Sequence, residues 1–444
     1  MPDPTYGKIT DEKLAQLISR IGIEVDETNF EPVSDADAAD WKPRFLGFNH
    51  EVTPDSIRHF VEGYGDDNPL YCDSEAAAQT MWGGQIAPPT FIWSMYLNPD
   101  EKSLTLGGGD EAPRYLTDEA RQRLEGDPIR GTGALQSNLE YEFYNPLRPG
   151  DQLFTKRTLL SVKDKPSAWG GRAVHVTWGV VSWNQDREIV HLQRGTWVRA
   201  ERRERTDEKA VQPAPDPYTD EQIAQIDAAY ASEVRRGSSP RHFEDVVVGE
   251  ELPLRVKGPL RVTDLIVWHG GFGQAFLTRA FRLGYEVRRE SPGLYSPNSL
   301  NVPDIVQRMH WDPEWAAKVG AAACYDYGAL RETWLSQLVN DWAGDASWIK
   351  SLNVQHRKFN YIGDTTWLKG RVASKTQFDD RAEVVLNVWC ENQRGMITSP
   401  AEATVILPSK KTGVVLPKPT EKDPLDLLRS EIARLRDQEE AISQ

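Results

Sequence analysis

The sequence predicts an α+β fold of two similar halves, each with one long apolar helix and an antiparallel sheet. The first observation behind this is an order of sequence features that occurs on either side of a polar segment. The second is a helical stripe of apolar residues over 328–344. The third is the β-branched and aromatic composition of residues 173–183 and 382–390, which is typical of strands. A chain of 444 residues is long enough for two domains or one duplicated domain.

Five features recur in the same order in the two halves. They are a helix start with a threonine N-cap, an alanine-rich segment ending in glycine, an apolar helix, strands with a Gly-Asp turn, and a last hairpin. The matched positions are Thr53 and Thr263, 76–84 and 316–320, Gly150-Asp151 and Gly363-Asp364, Asn184-Gln185 and Asn392-Gln393, and Thr196 and Thr404. This order indicates an internal duplication.

A polar segment separates the repeats. Residues 201–240 are rich in charge and proline and end in Gly-Ser-Ser-Pro, which predicts a surface linker that contains a short helix. We therefore predict an N-terminal half at 1–200, the linker at 201–240, a C-terminal half at 241–410 and a tail at 411–444. The tail has a helix-like pattern over 424–441.

Two segments are predicted as the central helices. Over 328–343, apolar residues recur every four positions, and Gly344 ends the pattern. The members of this stripe are Leu330, Trp334, Leu338 and Trp342, widened by Leu335 and Val339. Glu332, Thr333, Ser336 and Asn340 form the opposite, polar face. The counterpart at 88–97 is apolar nearly all round, which predicts burial on most sides.

Composition excludes several classes of function. The net charge of −15 and a pI near 5.1 argue against a nucleic acid or a membrane surface as partner. Three distant cysteines fit a reducing cytoplasm and match no metal spacing. The N-terminus has no signal-peptide pattern, and the glycine run at 107–109 does not follow a strand as a dinucleotide loop would. We expect a cytoplasmic protein without metal or organic cofactor, and the sequence leaves a homodimer open.

Residues 63–91 carry the most informative motif. A glycine-flanked loop offers the carboxylate of Asp66 and the amide of Asn68, Pro69 stiffens it, and the apolar segment 86–91 leads into a helix. This stretch resembles the G-D-x-N-P-L-H signature of the MaoC-like, R-specific enoyl-thioester hydratases. The resemblance implies a double hot-dog fold, in which two curved sheets each wrap a central helix. In that family the Asp and His form an acid/base pair, whereas Tyr71 stands here at the histidine position.

The second half carries the complementary part of the motif. His310, Asp312, Ala316 and Gly320 resemble the downstream pattern H-x-D-x-x-x-A-x-x-x-G, which implies that His310 is the catalytic histidine. Asp304 is the nearest upstream carboxylate, since Ile305 occupies the family's aspartate position. In a continuous helix, residues 304 and 310 would point about 120° apart. They can converge only if the segment is a loop, and Pro303 favours such a break.

The expected chemistry explains this choice of residues. Hydration of a 2-enoyl thioester places hydroxide on C3 and a proton on C2, which requires a base and an acid of matched pKa. Histidine suits this role because its ordinary pKa is about 6.5. The enolate oxygen needs preorganised donors, and the resemblance implies that the backbone at Gly328, after Tyr327 at the head of the second apolar helix, supplies them.

Other residues are predicted to bind substrate. Asp66, Asn68 and Tyr71 are assigned to the substrate cleft of a first half that has lost its histidine, and Tyr327 to that of the second half. Arg357 and Lys358, beside His356 on a predicted strand, are candidates for a CoA phosphate. The simpler alternatives are a self-bonded turn at 65–69, a surface histidine at 310 and a solvated basic face at 356–358.

Three classes of function remain open. The first is an enoyl-CoA hydratase or 3-hydroxyacyl-CoA dehydratase. The second is another hot-dog enzyme, such as a thioesterase, which would release free thiol, or a lyase acting on an unusual acid. The third is a non-catalytic subunit that binds acyl thioesters, which the incomplete motifs favour.

Overall fold

A ten-stranded antiparallel sheet runs through both halves. The computed structural model describes residues 5–26, 48–95, 118–124, 126–166, 171–201, 212–273, 280–290 and 292–443. The strands are β1 (Val25–Asp26), β2 (Gly133–Phe143), β3 (Phe154–Pro166), β4 (Arg172–Trp183), β5 (Ile189–Ala200), β6 (Arg255–Lys257), β7 (Tyr295–Pro297), β8 (Pro303–Ile305), β9 (Trp348–Gln355), β10 (Thr366–Gln377), β11 (Ala382–Asn392) and β12 (Ile397–Leu407). Their order in the large sheet is β1-β3-β4-β5-β2-β9-β12-β11-β10-β6, while β7 and β8 form a separate pair.

The helices lie against this sheet and at its ends. They are α1 (Asp11–Ile18), α2 (Pro54–Gly63), α3 (Pro69–Cys72), α4 (Ser74–Ala78), α5 (Ile92–Met95), α6 (Asp118–Leu124), α7 (Asp220–Ala231), α8 (Val262–Phe272), α9 (Phe281–Glu290), α10 (Pro313–Lys318), α11 (Gly328–Ala343) and α12 (Pro424–Ser443). Short 3-10 helices occur at Pro89–Phe91, Phe243–Asp245, Pro292–Leu294 and Val306–His310.

The strand order is symmetric about the contact between β2 and β9. In each half one strand pairs with the last strand of a three-stranded meander, β2 with β5 and β9 with β12, and β2 joins β9 antiparallel. This is the predicted double hot-dog architecture. The last hairpins also carry the same hydrogen bonds. The side chain of Asn184 accepts from the amides two and four residues later, as does that of Asn392, and Gln185 and Gln393 each donate to the aspartate of a Gly-Asp turn.

Helix α11 has the bounds predicted for the second central helix. Its polar face is buried as well as its apolar stripe: Glu332, Thr333 and Ser336 are at most 2% exposed. Strands β9 to β12 pack on one side, and residues of the first half contact the other. The central helix predicted at 88–97 is a 3-10 turn followed by α5, and residues 96 and 97 lie outside the described ranges, as does the glycine run at 107–109.

Helices α2 and α8 form a tightly packed pair. Thr53 caps α2 as predicted, accepting a hydrogen bond from the amide of Ser56 at 3.0 Å. The second predicted start was wrong by two residues, because α8 begins at Val262 and Asp264 bonds back to the amide of Arg261. A methyl group on Gly271 of α8 would lie 2.1 Å from the carbonyl oxygen of His59, so only glycine allows this approach.

The linker and the tail contact the two halves. The linker contains the predicted helix as α7, and its Arg235 forms ion pairs with both halves, so it is more than a surface connection. Helix α12 lies outside the repeat, as expected, yet it packs on β3 and β4 of the first half. Its Leu427 and Leu428 are buried against a cluster that includes Trp183. The boundaries assigned to the halves stay predictions.

Candidate active site

His310 lies at the end of the 3-10 helix Val306–His310. Its Nδ1 is 2.7 Å from the carbonyl oxygen of Tyr325, so Nδ1 carries the proton that is donated there. The imidazole ring stacks on Tyr327 with a centroid distance of 3.9 Å. Burial lowers the pKa of His310 to about 4. At neutral pH the ring is therefore uncharged, with a basic lone pair on Nε2 that has no hydrogen-bond partner within the described ranges.

Aromatic and polar side chains surround this ring. Gln307 donates to the hydroxyl of Tyr327 at 3.0 Å. The ring of His269 lies 5.1 Å from that of Tyr327, and burial lowers the pKa of His269. Tyr327, predicted to line the cleft, thus links His310 to α11.

Asp304 is not brought to His310. The segment is not a continuous helix, but it is not the loop that convergence was expected to require either: β8 at 303–305 is followed directly by the 3-10 helix. The carboxylate of Asp304 nevertheless accepts from the amide of Ile305 at 2.7 Å and from Asn298 at 3.4 Å. Since β8 is paired with β7, Asp304 is held in that hairpin. His310 is oriented by a backbone carbonyl instead of a carboxylate.

Gly328 is the first residue of α11. Tyr327 makes no side-chain cap, so the first amides of the helix lack a capping side chain and carry the positive end of the helix dipole. A methyl group on Gly328 would lie 2.9 Å from Nε2 of His356 and 3.2 Å from Oε1 of Gln136. A larger residue at this position would therefore fill the space between the backbone, His356 and Gln136.

Glu332 and His356 form a pair beside Gly328 that the sequence did not reveal. His356 was considered as part of an exposed basic face, but it is largely buried and its Nε2 lies 2.9 Å from Oε1 of Glu332. Burial lowers the pKa of His356, and Arg331 lowers it further, while Glu332 acts in the opposite direction. A glutamate four residues after a helix-initial glycine was the available signal, but the sequence showed Glu332 only as one member of the polar face of the helix.

Arg357 and Lys358 follow His356 at the surface. Both are exposed, and their amides bond to the carbonyl oxygen of Thr398 at 3.0 and 3.2 Å. The guanidinium of Arg357 contacts Gln355. These two cations lie one and two residues beyond the buried pair.

Asp66, the first-half motif carboxylate, is engaged on both oxygens. One oxygen accepts from Arg235 at 2.8 Å and from the amides of Asp67 and Asn68 at 2.8 and 3.2 Å, and the other from the hydroxyl of Tyr64 at 3.1 Å. The side chain of Asp66 is 3% exposed. Both oxygens of Asp66 are therefore occupied by contacts within the protein.

Asn68 and Tyr71 contact the other half of the chain. Asn68 donates to Asp345 at 2.9 Å, and Asn340 donates to the hydroxyl of Tyr71 at 3.0 Å. Burial and the nearby Asp66 raise the pKa of Tyr71 well above its ordinary value. A small cavity adjoins this region, lined by Leu70, Tyr71, Trp82, Ile86, Pro89, Asn340, Gly344, Asp345, Ser347, Trp348 and Ile349.

A buried group of charges fixes the same region. Asp341 forms ion pairs with Arg235, at 3.2 Å, and with Arg255. Burial raises the pKa of Asp341 to about 7, partly offset by Arg255. Lys257 donates to the carbonyl oxygen of Tyr64 at 2.9 Å, and burial lowers its pKa to about 8.

The two motif regions lie at opposite ends of α11. Gly328 and His356 are at its N-terminus. Near its C-terminus, Tyr71 contacts Asn340, Asn68 contacts Asp345, and Asp66 is connected to Asp341 through Arg235 of the linker. A helix of 16 residues is about 24 Å long. The structure therefore does not bring Asp66, Asn68 and Tyr71 into one pocket with His310.

Among the described residues, no three His, Cys, Asp or Glu side chains are grouped as metal ligands would be. No helix in the described ranges is both long and apolar enough to cross a membrane.

Comparison with known proteins agrees with this architecture. Residues 43–193 match the FAS1-like dehydratase domain region. The chain is 28% identical over 190 residues to a protein of Thermomonospora curvata named "Probable enoyl-CoA hydratase alpha subunit", covering 39% of this chain and 56% of the relative. It is 29% identical over 117 residues to a UPF0336 protein of Streptomyces avermitilis, covering 26% of this chain and 64% of that protein. The chain thus spans less than two thirds of these curated relatives.

Solved structures extend the match to both halves. A MaoC-like dehydratase covers 88% of this chain and 99% of its own, with a TM-score of 0.55 and 18% identity. A MaoC domain protein from Chloroflexus aurantiacus covers 88% and 96%, with a TM-score of 0.52 and 13% identity. At such identities the likeness concerns the fold. Together with the matched dehydratase region, it shows that the chain has a double hot-dog fold similar to that of MaoC-like dehydratases.

Proposed function

We propose that the protein is a hydro-lyase that adds water to a 2-enoyl thioester, or removes it from a 3-hydroxyacyl thioester. The observation that carries the proposal is the state of His310. Its ring is neutral, its Nδ1 proton is fixed by a backbone carbonyl, and its basic Nε2 belongs to a ring stacked on the residue that precedes Gly328. The ring that would serve as the base thus stacks on Tyr327, the residue before the first amide of α11, and hydration requires both a base and such donors.

In the proposed reaction His310 acts both as base and as acid. Nε2 takes a proton from water while the hydroxide bonds to C3 and the C2–C3 π electrons move onto the thioester oxygen. The amides at the head of α11 stabilise this enolate. When the enolate collapses, C2 takes the proton back from Nε2, so one molecule of water is added in total. Because Nε2 of His310 both activates the water and returns the proton to C2, the hydroxyl and the proton should add to the same face of the C2–C3 double bond.

The substrate and setting follow from the same site. We propose CoA as the acyl carrier, since Arg357 and Lys358 present two exposed cations beyond His356 and could bind a phosphate. Asp66, Asn68 and Tyr71 are proposed to shape the small cavity at the other end of α11, apart from the chemistry. Cytoplasmic location and a homodimer remain proposals, which fractionation and light scattering would test.

The test is a screen of 2-enoyl-CoA esters of increasing bulk, from crotonyl-CoA to ring-bearing acyl groups. Loss of the enoyl-thioester absorbance without release of free thiol is the expected result, and deuterium from D₂O should enter C2 on the face that bears the hydroxyl. Release of thiol would identify a thioesterase instead. Binding of the esters without any turnover would identify a non-catalytic thioester-binding protein.

A further inference from the structure

The carboxylate of Glu332 is held by three donors from both halves of the chain. Tyr141 donates to Oε2 at 2.6 Å, and Gln136 donates to Oε1 at 2.8 Å. His356 reaches Oε1 at 2.9 Å. Glu332 is 0% exposed, so its oxygens depend on these hydrogen bonds in place of water.

The first half contributes two of the three donors. Tyr141 and Gln136 both lie on β2, the strand that joins the halves. The pairing of β2 with β5 shifts register between Gln136 and Asn138, which marks a β-bulge at Ser137. A β-bulge changes the direction of neighbouring side chains. The carbonyl oxygen of Ser137, the bulge residue, accepts a hydrogen bond from the amide of His356 at 2.9 Å, so the bulge lies next to His356.

Both ring nitrogens of His356 are engaged. Nε2 faces Glu332, and Nδ1 lies 3.2 Å from the hydroxyl of Ser399, which also accepts from Arg331 at 2.9 Å. A neutral ring can satisfy these contacts only with its proton on Nε2 and its lone pair toward Ser399. His356 therefore has no nitrogen left to act as a base.

The network ends at Asp326, two residues before Gly328. Arg331 bonds to Asp326 at 3.1 Å, and Asn360 donates to the same oxygen at 3.0 Å. Burial raises the pKa of Asp326 to about 6, partly offset by Arg331. The contacts thus run beneath the head of α11 from β2 of the first half to the residues that lead into the helix.

We propose that Glu332 is a positioning residue for the hydration site, an inference that rests on the proposed function. By accepting the Nε2 proton, Glu332 holds the His356 ring at the edge of the space above Gly328. If Glu332 were lost, the ring could rotate into the space that the thioester oxygen needs to reach the helix amides. The first half would then serve catalysis through Gln136 and Tyr141, in addition to shaping its own cavity.

The test compares Glu332→Gln with Glu332→Ala, using crotonyl-CoA and a longer enoyl-CoA. Glutamine can retain every contact, because its oxygen accepts from Gln136 and His356 while its amide donates to the hydroxyl of Tyr141, which can also accept. We expect Glu332→Gln to keep kcat within a few-fold of wild type. Glu332→Ala should lower kcat by about 10²-fold, since a misplacement of about 1 Å can have that effect, with a smaller change in KM.

Matched controls separate positioning from general destabilisation. Glu431→Ala removes another buried carboxylate, which lies in α12 and pairs with Arg194 of β5, and this variant should leave kcat unchanged in the folded protein. Nitrogen-15 NMR of the histidine rings should show His356 protonated on Nε2 in wild type and Glu332→Gln, and a mixture of tautomers in Glu332→Ala.

Two patterns of kcat would contradict a positioning role for Glu332. Equal loss of kcat in both variants would show that the carboxylate charge takes part in the chemistry, and unchanged kcat in both would show that Glu332 has no role at the site. Either result overturns the proposal. If wild type itself shows no turnover, the proposed function fails, and the NMR comparison then decides by itself whether Glu332 fixes the His356 ring.

Discussion

At the residue scale, the protonation state of His310 connects the structure with a measurable pH dependence. Burial lowers its pKa to about 4, whereas an unfolded chain would have a value of about 6.5. Between these values the unfolded state binds more protons than the folded state. Folding stability from this group is therefore complete above about pH 6.5 and is lost as the pH falls toward 4.

The same pKa predicts the pH profile of the reaction. The value of kcat/KM should stay constant through neutral pH and fall on the acid side with a midpoint near 4, as Nε2 becomes protonated. Intrinsic tryptophan fluorescence at each pH will show whether the protein is still folded. An acid limb with a midpoint near 6.5, in folded protein, would contradict a buried neutral base.

Site residues could be predicted from the sequence only in part. The motif singled out His310 and Tyr327, whose rings stack in the structure, and Gly328, which follows Tyr327; their catalytic and binding roles stay predictions. It failed to reveal Glu332 and Gln136 because their meeting depends on the pairing of β2 with β9, between residues about 200 positions apart. The suggested partner Asp304 is held instead by its own hairpin.

At the element scale, α11 organises both ends of the protein. The stripe of leucine and tryptophan in α11 made its bounds predictable from periodicity. The burial of its polar face was not predictable, because that burial results from the packing of the other half.

The start of α8 was missed for a local reason. The side chain of Asp264 accepts a hydrogen bond from the amide of Arg261, so Arg261 is the N-cap and not Thr263.

Gly328→Ala tests the head of this helix. Alanine suits a helix better than glycine by about 0.5–1 kcal/mol, so the fold should not suffer from the backbone. The added methyl would nevertheless press on His356 and Gln136. We expect kcat to fall by about 10–100-fold with little change in thermal stability. Gly270→Ala in α8, where the methyl meets no atom within 4 Å, is the control. Full activity of Gly328→Ala would show that the thioester does not approach this backbone.

At the scale of the whole molecule, the linker acts as a charged clamp between the halves. Arg235 bonds to Asp66 of the first half and to Asp341 of the second, and both carboxylates are at most 4% exposed. Asp66 of the first-half motif is thus part of the contact between the linker and the two halves, which was not predicted from the sequence, where this residue was assigned to the substrate cleft.

Arg235→Ala should therefore destabilise the protein without harming the chemistry. Removing one partner of a buried ion pair costs about 3–5 kcal/mol, and the lower end is expected because Arg235 is 20% exposed. Chemical denaturation will give the free energy of unfolding. Arg58→Ala, whose ion pairs on α2 are exposed, should change it little. Loss of turnover in folded Arg235→Ala would instead place the reaction near the C-terminal end of α11, which would contradict a reaction at His310.

The most direct test of the account compares His310→Ala with Tyr71→Phe, because these residues occupy the same motif position in the two halves but contact opposite ends of α11. Turnover of an accepted 2-enoyl-CoA should fall by about 10²–10⁴-fold in His310→Ala, with thioester affinity largely kept. Tyr71→Phe should stay within a few-fold of wild type, since the hydrogen bond that it removes between the described residues is the one from Asn340, far from His310. Full turnover in His310→Ala together with loss in Tyr71→Phe would contradict the account and place the chemistry in the first half.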